Sequence, residues 1–496
     1  MVGDRTSSTQ RISAPHHALL VLAVVVCRIL VARACPTYDD AFITYRYARN
    51  LAEGAGLVFN PGAAWEPILG TTTPLYALIL AVFGKLGLDL VQVSLALNIA
   101  LDAVTALLIP RLFKRARTPS VVALFGFAAF APLVRISVGG MESPLFCLTG
   151  LLAVLAAAED KPTRAGIWSG LTCLVRPEGV LLCVILLFSR WPERRQFTRL
   201  LVPIAVIGVI SVTLLSLVYG TPIPQSVTAK SAMHTVDPAG ENWVRLKQIL
   251  AQSYLPHLVL IPLLPLVAYG AWRALLRAGA LRLFSLWALA ISASYLIARP
   301  HTWGWYYFVP LTAWVLWLAL GSARLARAFL SQFGPALVHL ARSAGPPAAA
   351  VLAMAAAAFI GVRYASTVGR DVYTPLAAWA RETSAVEPNA RVLANDIGVV
   401  GWYWRGTVLD SEGLVWPAAL KHGSVNAILE AERPEYFVLL VERGRLTHFK
   451  KRADLIGAYL PFLRFNTDGD QQLAPSPDDL TDEWNPDYIV YKRRVQ

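Results

Sequence analysis

Charge is scarce in this 496-residue chain. Asp, Glu, Lys and Arg together supply 16% of it, and apolar residues 56%. A soluble domain carries about a quarter of its residues as charges, so an ordinary soluble protein is excluded. Cysteine is also sparse. The five at 27, 35, 147, 173 and 183 form no C-x-x-C pair, and four lie in apolar runs. They read as small core hydrophobes, neither metal ligands nor a disulfide frame. Nucleotide-binding signatures are missing. Gly398 and Gly401 do not complete a G-x-G-x-x-G after a strand, and no G-x-x-x-x-G-K-[ST] occurs, so nucleotide use has no support. Repeats and heptads are absent too, and low complexity is confined to the Ala-rich stretch 348–358. No clear small-residue cleavage site follows the first apolar segment, whose lead-in is polar and weakly basic (Arg5, Arg11); a retained anchor is expected.

Long apolar runs fill most of the remainder. They lie near 18–34, 71–88, 91–110, 119–134, 144–158, 165–175, 179–189, 200–219, 255–272, 283–298, 306–322 and 346–363. A crossing of a bilayer core of about 30 Å needs roughly 20 helical residues. Basic residues cluster in the short turns at 111–117, 161–164, 190–199, 273–282 and 324–327. The positive-inside rule assigns those turns to the cytoplasm. A nucleic-acid binder would instead gather its basic residues on one soluble face. The charge balance reverses along the chain: residues 1–370 carry +17 and residues 371–496 carry −4. With the N-terminus inside and the acidic tail outside, the crossings must be odd in number. About eleven are expected, with 71–88 dipping in and returning after its Thr71-Thr72-Thr73-Pro74 start. Segments 165–175 and 179–189 flank Arg176-Pro177-Glu178-Gly179 and read as a hairpin or broken helix.

Beyond residue 364 the texture changes. Short β-branched and aromatic runs at 390–394, 407–409, 436–441 and 488–491 alternate with helical stretches at 375–386 and 424–432. The acidic, Pro-rich stretch 468–487 reads as loop. The fold class expected is an α-helical polytopic membrane protein with a small C-terminal α/β extracytoplasmic domain. Residues 1–364 form the membrane domain, whose first outer loop is 35–70, and residues 371–496 form the soluble domain.

The most informative residues are Asp39 and Asp40, which emerge together where the first apolar segment ends. Acids are costly inside lipid; at the boundary they suit chemistry on a lipid-linked substrate. Ala41, Tyr45, Ala48 and Ala52 recur at helical spacing behind them, so a short amphipathic helix lying at the interface is expected. One acid would cap that helix, and Asp39 is the better placed. Asp40 is then left as general base. The pair could also hold a divalent ion; no His, Cys or Asp cluster elsewhere has metal spacing.

The ordered set Tyr38-Asp39-Asp40-Ala41-Phe42-Ile43-Thr44-Tyr45-Arg46-Tyr47-Ala48-Arg49-Asn50-Leu51, Gly56 to Gly62 and Thr71 to Tyr76 resembles the first outer loop of GT-C glycosyltransferases. It is most similar to arabinofuranosyltransferase-like and mannosyltransferase-like bacterial members. Gly139-Gly140-Met141-Glu142-Ser143-Pro144, Arg176-Pro177-Glu178-Gly179 and Tyr219-Gly220-Thr221-Pro222 leading to Lys230 extend the resemblance over about residues 18–320. Asn395-Asp396-Ile397-Gly398 to Asp410 resembles the outer domains of some members. The resemblance implies an inverting transfer of a sugar from a polyprenyl-phosphate donor to a glycan, lipid or protein acceptor on the outer face of the plasma membrane.

A leaving phosphate calls for cations. Arg176 and Arg299 flank apolar segments, and Lys230 lies on an outer loop. An Arg fork donates two hydrogen bonds to a phosphate. Arg176 either meets phosphate or pairs with Glu178, and Arg299 suits a snorkelling anchor as well. Glu142 either binds a sugar hydroxyl, orients Asp40, or marks a helix N-terminus. His301 belongs to an aromatic belt at 299–307 and could meet phosphate or acceptor. Two other classes fit the same sequence: a transporter or flippase of lipid-linked substrates, and a non-catalytic envelope-assembly scaffold.

Overall fold

The computed structural model describes residues 11–233, 263–298, 302–330, 332–333, 335–367, 373–440, 458–465, 471–473 and 488–494. Six helices among them are long and apolar enough to cross a membrane: Ala14–Ala32, Leu90–Leu112, Arg194–Tyr219, Ala280–Ala298, Gly304–Ala323 and Ser343–Arg363. The helix pair Arg117–Ala129 and Ala131–Ser137 makes seven if it counts as one span. The chain is a multi-span membrane protein, with six or seven full-length spans among the described residues; part of the expected segment 255–272 lies outside them. Three other expected segments form helices below full length. Pro74–Lys85, Ser143–Ala158 and Gly179–Arg190 are apolar but only 12 to 16 residues long. At 1.5 Å per residue they reach about 18–24 Å, short of a 30 Å core. The expected segment 119–134 is not continuous either; it bends by 61° at Phe130.

The residues divide into two compact units. The first holds 1–35, 95–210 and 237–362; the second holds 36–94, 211–236 and 363–496. The first is a helical assembly. The helices Ser143–Ala158, Pro162–Val175 and Gly179–Arg190 pack in succession, and Trp287 buries its ring against Phe146 and Phe284. All five cysteines are free.

The second unit joins the first outer loop to the tail. Among the described residues its sheet has six strands: β1 (Val392–Ala394), β2 (Val408–Asp410), β3 (Tyr436–Leu440), β4 (Tyr459–Phe465), β5 (Gln471–Leu473) and β6 (Tyr488–Arg493), in the order β2-β1-β3-β6-β4-β5. The first three neighbours run parallel and the rest antiparallel. Leu393, Leu409, Phe437, Ile489 and Tyr491 form the core beside helix Val425–Glu432. The strand Gln471–Leu473 corrects the loop reading for those three residues, which pair with β4; the rest of 468–487 lies outside the described residues. Its partner β4 carries a bulge between Pro461 and Leu463, a position where Pro is tolerated.

Helix Asp39–Ala52 also departs from expectation. It is not half-exposed at an interface; ten of its fourteen residues are buried. The polar stripe Asp39, Arg46 and Asn50 faces protein, so what looked like a solvated side is an internal one.

Candidate functional site

The site is built on helix Asp39–Ala52, whose N-cap is Tyr38. Both acids lie in the first helical turn. Asp39 does not cap its own helix. Its two oxygens accept the backbone N–H groups of Gly398 (2.8 Å) and Val399 (2.7 Å), the start of helix Gly398–Tyr403. Gly398 permits this approach, since a Cβ there would overlap the Asp39 carbonyl. The expectation that Asp39 caps the helix it begins is thereby corrected: the N–H groups it accepts belong to a helix 359 residues away in the chain.

The turn before that helix delivers Asp396. Ligand oxygens of Asp39, Asp40 and Asp396 all lie within 4.8 Å of one another. Among the described residues this is the one group of three or more His, Cys, Asp or Glu that could hold a metal ion. Asp396 accepts a hydrogen bond from the Tyr488 hydroxyl at 2.6 Å, which fixes it from the side of β6. Burial, and next the Asp396 carboxylate, hold Asp39 well above the usual carboxylate range. Neighbouring carboxylates disfavour the ionised form, and at Asp39 they add to the effect of burial. Asp39 is buried, whereas Asp40 and Asp396 are partly exposed. The two exposed acids are the ones a ligand can reach.

The outer loop is braced from several sides. Glu66 accepts the N–H groups of Phe59 (3.1 Å), Asn60 (2.9 Å) and Ile68 (2.5 Å). Asn50 donates to the Val58 carbonyl (2.8 Å). Lys230 lies in helix Gln225–Met233, in the same unit as the three acids. That helix is fastened by Gln225, whose N–H meets the Leu69 carbonyl (2.7 Å) and whose side chain donates to Gly413 (3.1 Å).

Arg176 and Glu142 belong to the first unit, and they meet each other. Arg176 donates to Glu142 (2.6 Å) and, through two nitrogens, to Glu178 (2.8 and 3.3 Å). Tyr295 adds a bond to Glu178 at 2.9 Å, and the Tyr306 ring lies 4.4 Å from the guanidinium carbon. Of the two roles open to Arg176, the structure displays pairing: its fork is turned to carboxylates. Glu142 stands at the N-cap of Ser143–Ala158 without capping it, because its side chain is engaged by Arg176. Arg299 and His301 lie outside the described residues. Sequence reasoning missed Asp396 and Arg46 as site residues. Both stand inside the stretches that carried the resemblance, but nothing in their spacing says that they converge.

Comparison with known proteins agrees with this architecture. A family model described as "Domain of unknown function (DUF8728)" matches residues 362–476. The chain is 26% identical over 258 residues to the terminal beta-(1->2)-arabinofuranosyltransferase of Mycobacterium tuberculosis strain H37Rv. That match covers 47% of this chain and 40% of the relative, so the chain spans less than half the length of the curated relative it matches. Crystal structures of ArnT from Cupriavidus metallidurans, bound to undecaprenyl phosphate and in the apo state, superpose with a TM-score of 0.58. They share 13% and 14% identity and cover 96% of this chain and 97% of ArnT. The chain has the multi-span helical fold of these ArnT structures, with a small C-terminal sheet domain.

Proposed function

We propose that this protein is an inverting glycosyltransferase that moves a sugar from a polyprenyl-phosphate donor to a cell-envelope glycan, lipid or protein acceptor on the extracytoplasmic face. The observation that carries the reading is the placement of Asp40. It stands partly exposed beside a buried Asp39 whose two oxygens both accept N–H groups, at the start of a helix with ten of its fourteen residues buried. A general base needs that combination of access and fixed geometry. The Asp40 carboxylate takes the proton of the acceptor hydroxyl as its oxygen attacks the anomeric carbon. The bond from that carbon to phosphate oxygen breaks on the opposite side, and polyprenyl phosphate leaves. If a divalent cation assists, Asp39, Asp40 and Asp396 are the residues that would hold it. The arabinofuranosyltransferase similarity and the undecaprenyl phosphate in the ArnT structure support a lipid-linked donor.

The test supplies the purified full-length chain with polyprenyl-phosphate donors bearing labelled pentoses or hexoses, together with short envelope-glycan acceptors. Label should pass to an acceptor with inverted anomeric configuration. Transport of an intact donor across a vesicle bilayer, with no transfer to any acceptor, would establish the flippase alternative.

A further inference from the structure

Asp39 and Arg46 stand seven residues apart on helix Asp39–Ala52, two turns or about 10.5 Å along one face. Helix Gly398–Tyr403 has six residues and is about 9 Å long. The two side chains reach its two ends. Asp39 takes the free N–H groups at its start. Arg46 donates at its finish to the carbonyls of Gly401, Trp404 (3.0 Å) and Gly406 (3.1 Å). An acid at a helix N-terminus and a base at its C-terminus both complement the helix dipole. Arg46 also ties in the outer loop, through the Phe59 carbonyl (2.6 Å) and Asn60 (3.3 Å). Between these ends, Arg49 donates to the Trp402 carbonyl (2.8 Å) and lies 4.3 Å from the Trp402 ring centroid. The contact tolerates no added bulk: a Cβ on Gly401 would stand 2.6 Å from the Phe59 ring.

A short helix of the tail is thereby gripped at both ends by the helix that carries Asp40. Surface contacts of convenience do not bury an arginine with five hydrogen bonds, nor commit both oxygens of a buried carboxylate. We propose that the tail domain is part of the active site: helix Gly398–Tyr403 sets the position of Asp40, and Arg46 and Gly398 are positioning residues for the transfer step. This rests on the glycosyltransferase reading for its kinetic readout and deepens it by assigning the tail a task. Misplacing a reacting group by about 1 Å costs on the order of 100-fold in rate, so a loosened clamp acts on kcat and leaves the affinity for donor largely alone.

The experiment uses the full-length chain in detergent, with Arg46→Lys and Gly398→Ala as clamp variants. Arg391→Gln is the control; it breaks a pair with Glu432 elsewhere in the tail and touches no part of the clamp. Two quantities are read: kcat and KM with a polyprenyl-phosphate donor, and amide hydrogen exchange across residues 39–52. Each clamp variant should lower kcat by about 10- to 100-fold, leave the donor KM within threefold, and speed exchange in 39–52. Arg391→Gln should do none of these. Turnover like the parent in both clamp variants overturns the proposal. So does an equal kcat loss in Arg391→Gln, which would mark a general loss of fold. If the parent transfers no sugar, the functional reading fails by itself; faster exchange of 39–52 in the clamp variants alone still supports the clamp, and unchanged exchange overturns it.

Discussion

Arg28 replaces a hydrogen bond that Pro132 cannot make. In a continuous helix the N–H of residue 132 would bond the Ala128 carbonyl, but proline has none, and the helix breaks at Phe130. The Arg28 guanidinium reaches the stranded carbonyls instead, Phe127 at 2.9 Å and Ala128 at 3.3 Å. Asp102 balances its charge at 2.7 Å, with both side chains fully buried. Irregular backbone at membrane depth is tolerated only where protein satisfies it. Removing one partner of such a pair costs about 3–5 kcal/mol. Arg28→Met should therefore sharply reduce the folded fraction recovered in detergent. Arg28→Met combined with Asp102→Leu should recover part of that loss and no more, because the two carbonyls still lack donors. Size-exclusion profiles of the single and double variants check this; an Arg28→Met protein as well folded as the parent would show that the bend supports itself.

Much of the tail was legible because its strands are β-branched and aromatic runs between turns. Residues 436–441 and 488–491 were read within a residue or two of the observed strands. Strand Tyr459–Phe465 escaped because Pro461 interrupts the pattern, and it survives in the structure by bulging there. Gln471–Leu473 is polar at its first two positions and lies at the sheet edge, where little apolar signal is required. The acidic pair was legible from its place at the end of an apolar run. Its third member was not: Asp396 reaches Asp39 through chain folding across more than 350 residues, and no local periodicity encodes that. The polar stripe of helix Asp39–Ala52 misled for the same reason. Polar residues at helical spacing signal a solvated face unless another segment arrives to cover them.

Asp410 makes the second unit sensitive to pH. The side chain is fully buried and accepts the N–H groups of Glu412 (2.8 Å) and Val415 (2.9 Å), yet burial pushes its carboxyl up to about 7. An ordinary aspartate titrates near 3.9. The folded state thus holds the proton more tightly than the unfolded one. The stability this contributes is complete below about pH 4 and is lost as pH rises through about 7. Asp410→Asn has no proton to lose there. The difference in melting temperature between variant and parent should move in the variant's favour from pH 5 to pH 8. Parallel curves for the two proteins would contradict the assignment.

Arg176 should behave as a structural cation. Lysine keeps one charge but cannot address two carboxylates through a planar fork. Arg176→Lys leaves Glu142 or Glu178 short of a partner in a site where both are nearly enclosed. Folded yield should fall, while the protein that remains keeps a donor KM within threefold of the parent. A tenfold rise in donor KM at undiminished yield would return Arg176 to the phosphate.

The basic turns predict orientation. Lys114→Cys and Arg194→Cys should resist a membrane-impermeant thiol reagent applied to intact cells and react once the membrane is opened. A cysteine at Glu387, on the exposed side of the tail, should react from outside at once. Labelling at position 114 in intact cells would invert the topology and with it the face on which transfer takes place.

Asp40→Asn tests the chemistry most directly. The amide keeps the shape of the side chain but takes no proton at neutral pH. Turnover should fall by about 10²–10⁴-fold, the usual worth of a general base, with donor binding little changed. Asp39→Asn is expected to act differently. Asn has one acceptor oxygen, so one of the two N–H bonds from Gly398 and Val399 is lost and an N–H is turned toward the other donor. Helix Gly398–Tyr403 then loosens, and the loss in kcat should resemble that of the clamp variants, about 10- to 100-fold. Donor binding and turnover, measured side by side in detergent, separate the two acids. If Asp40→Asn turns over like the parent while Asp39→Asn is inert, their roles are exchanged. If both turn over normally, this pair performs no catalysis.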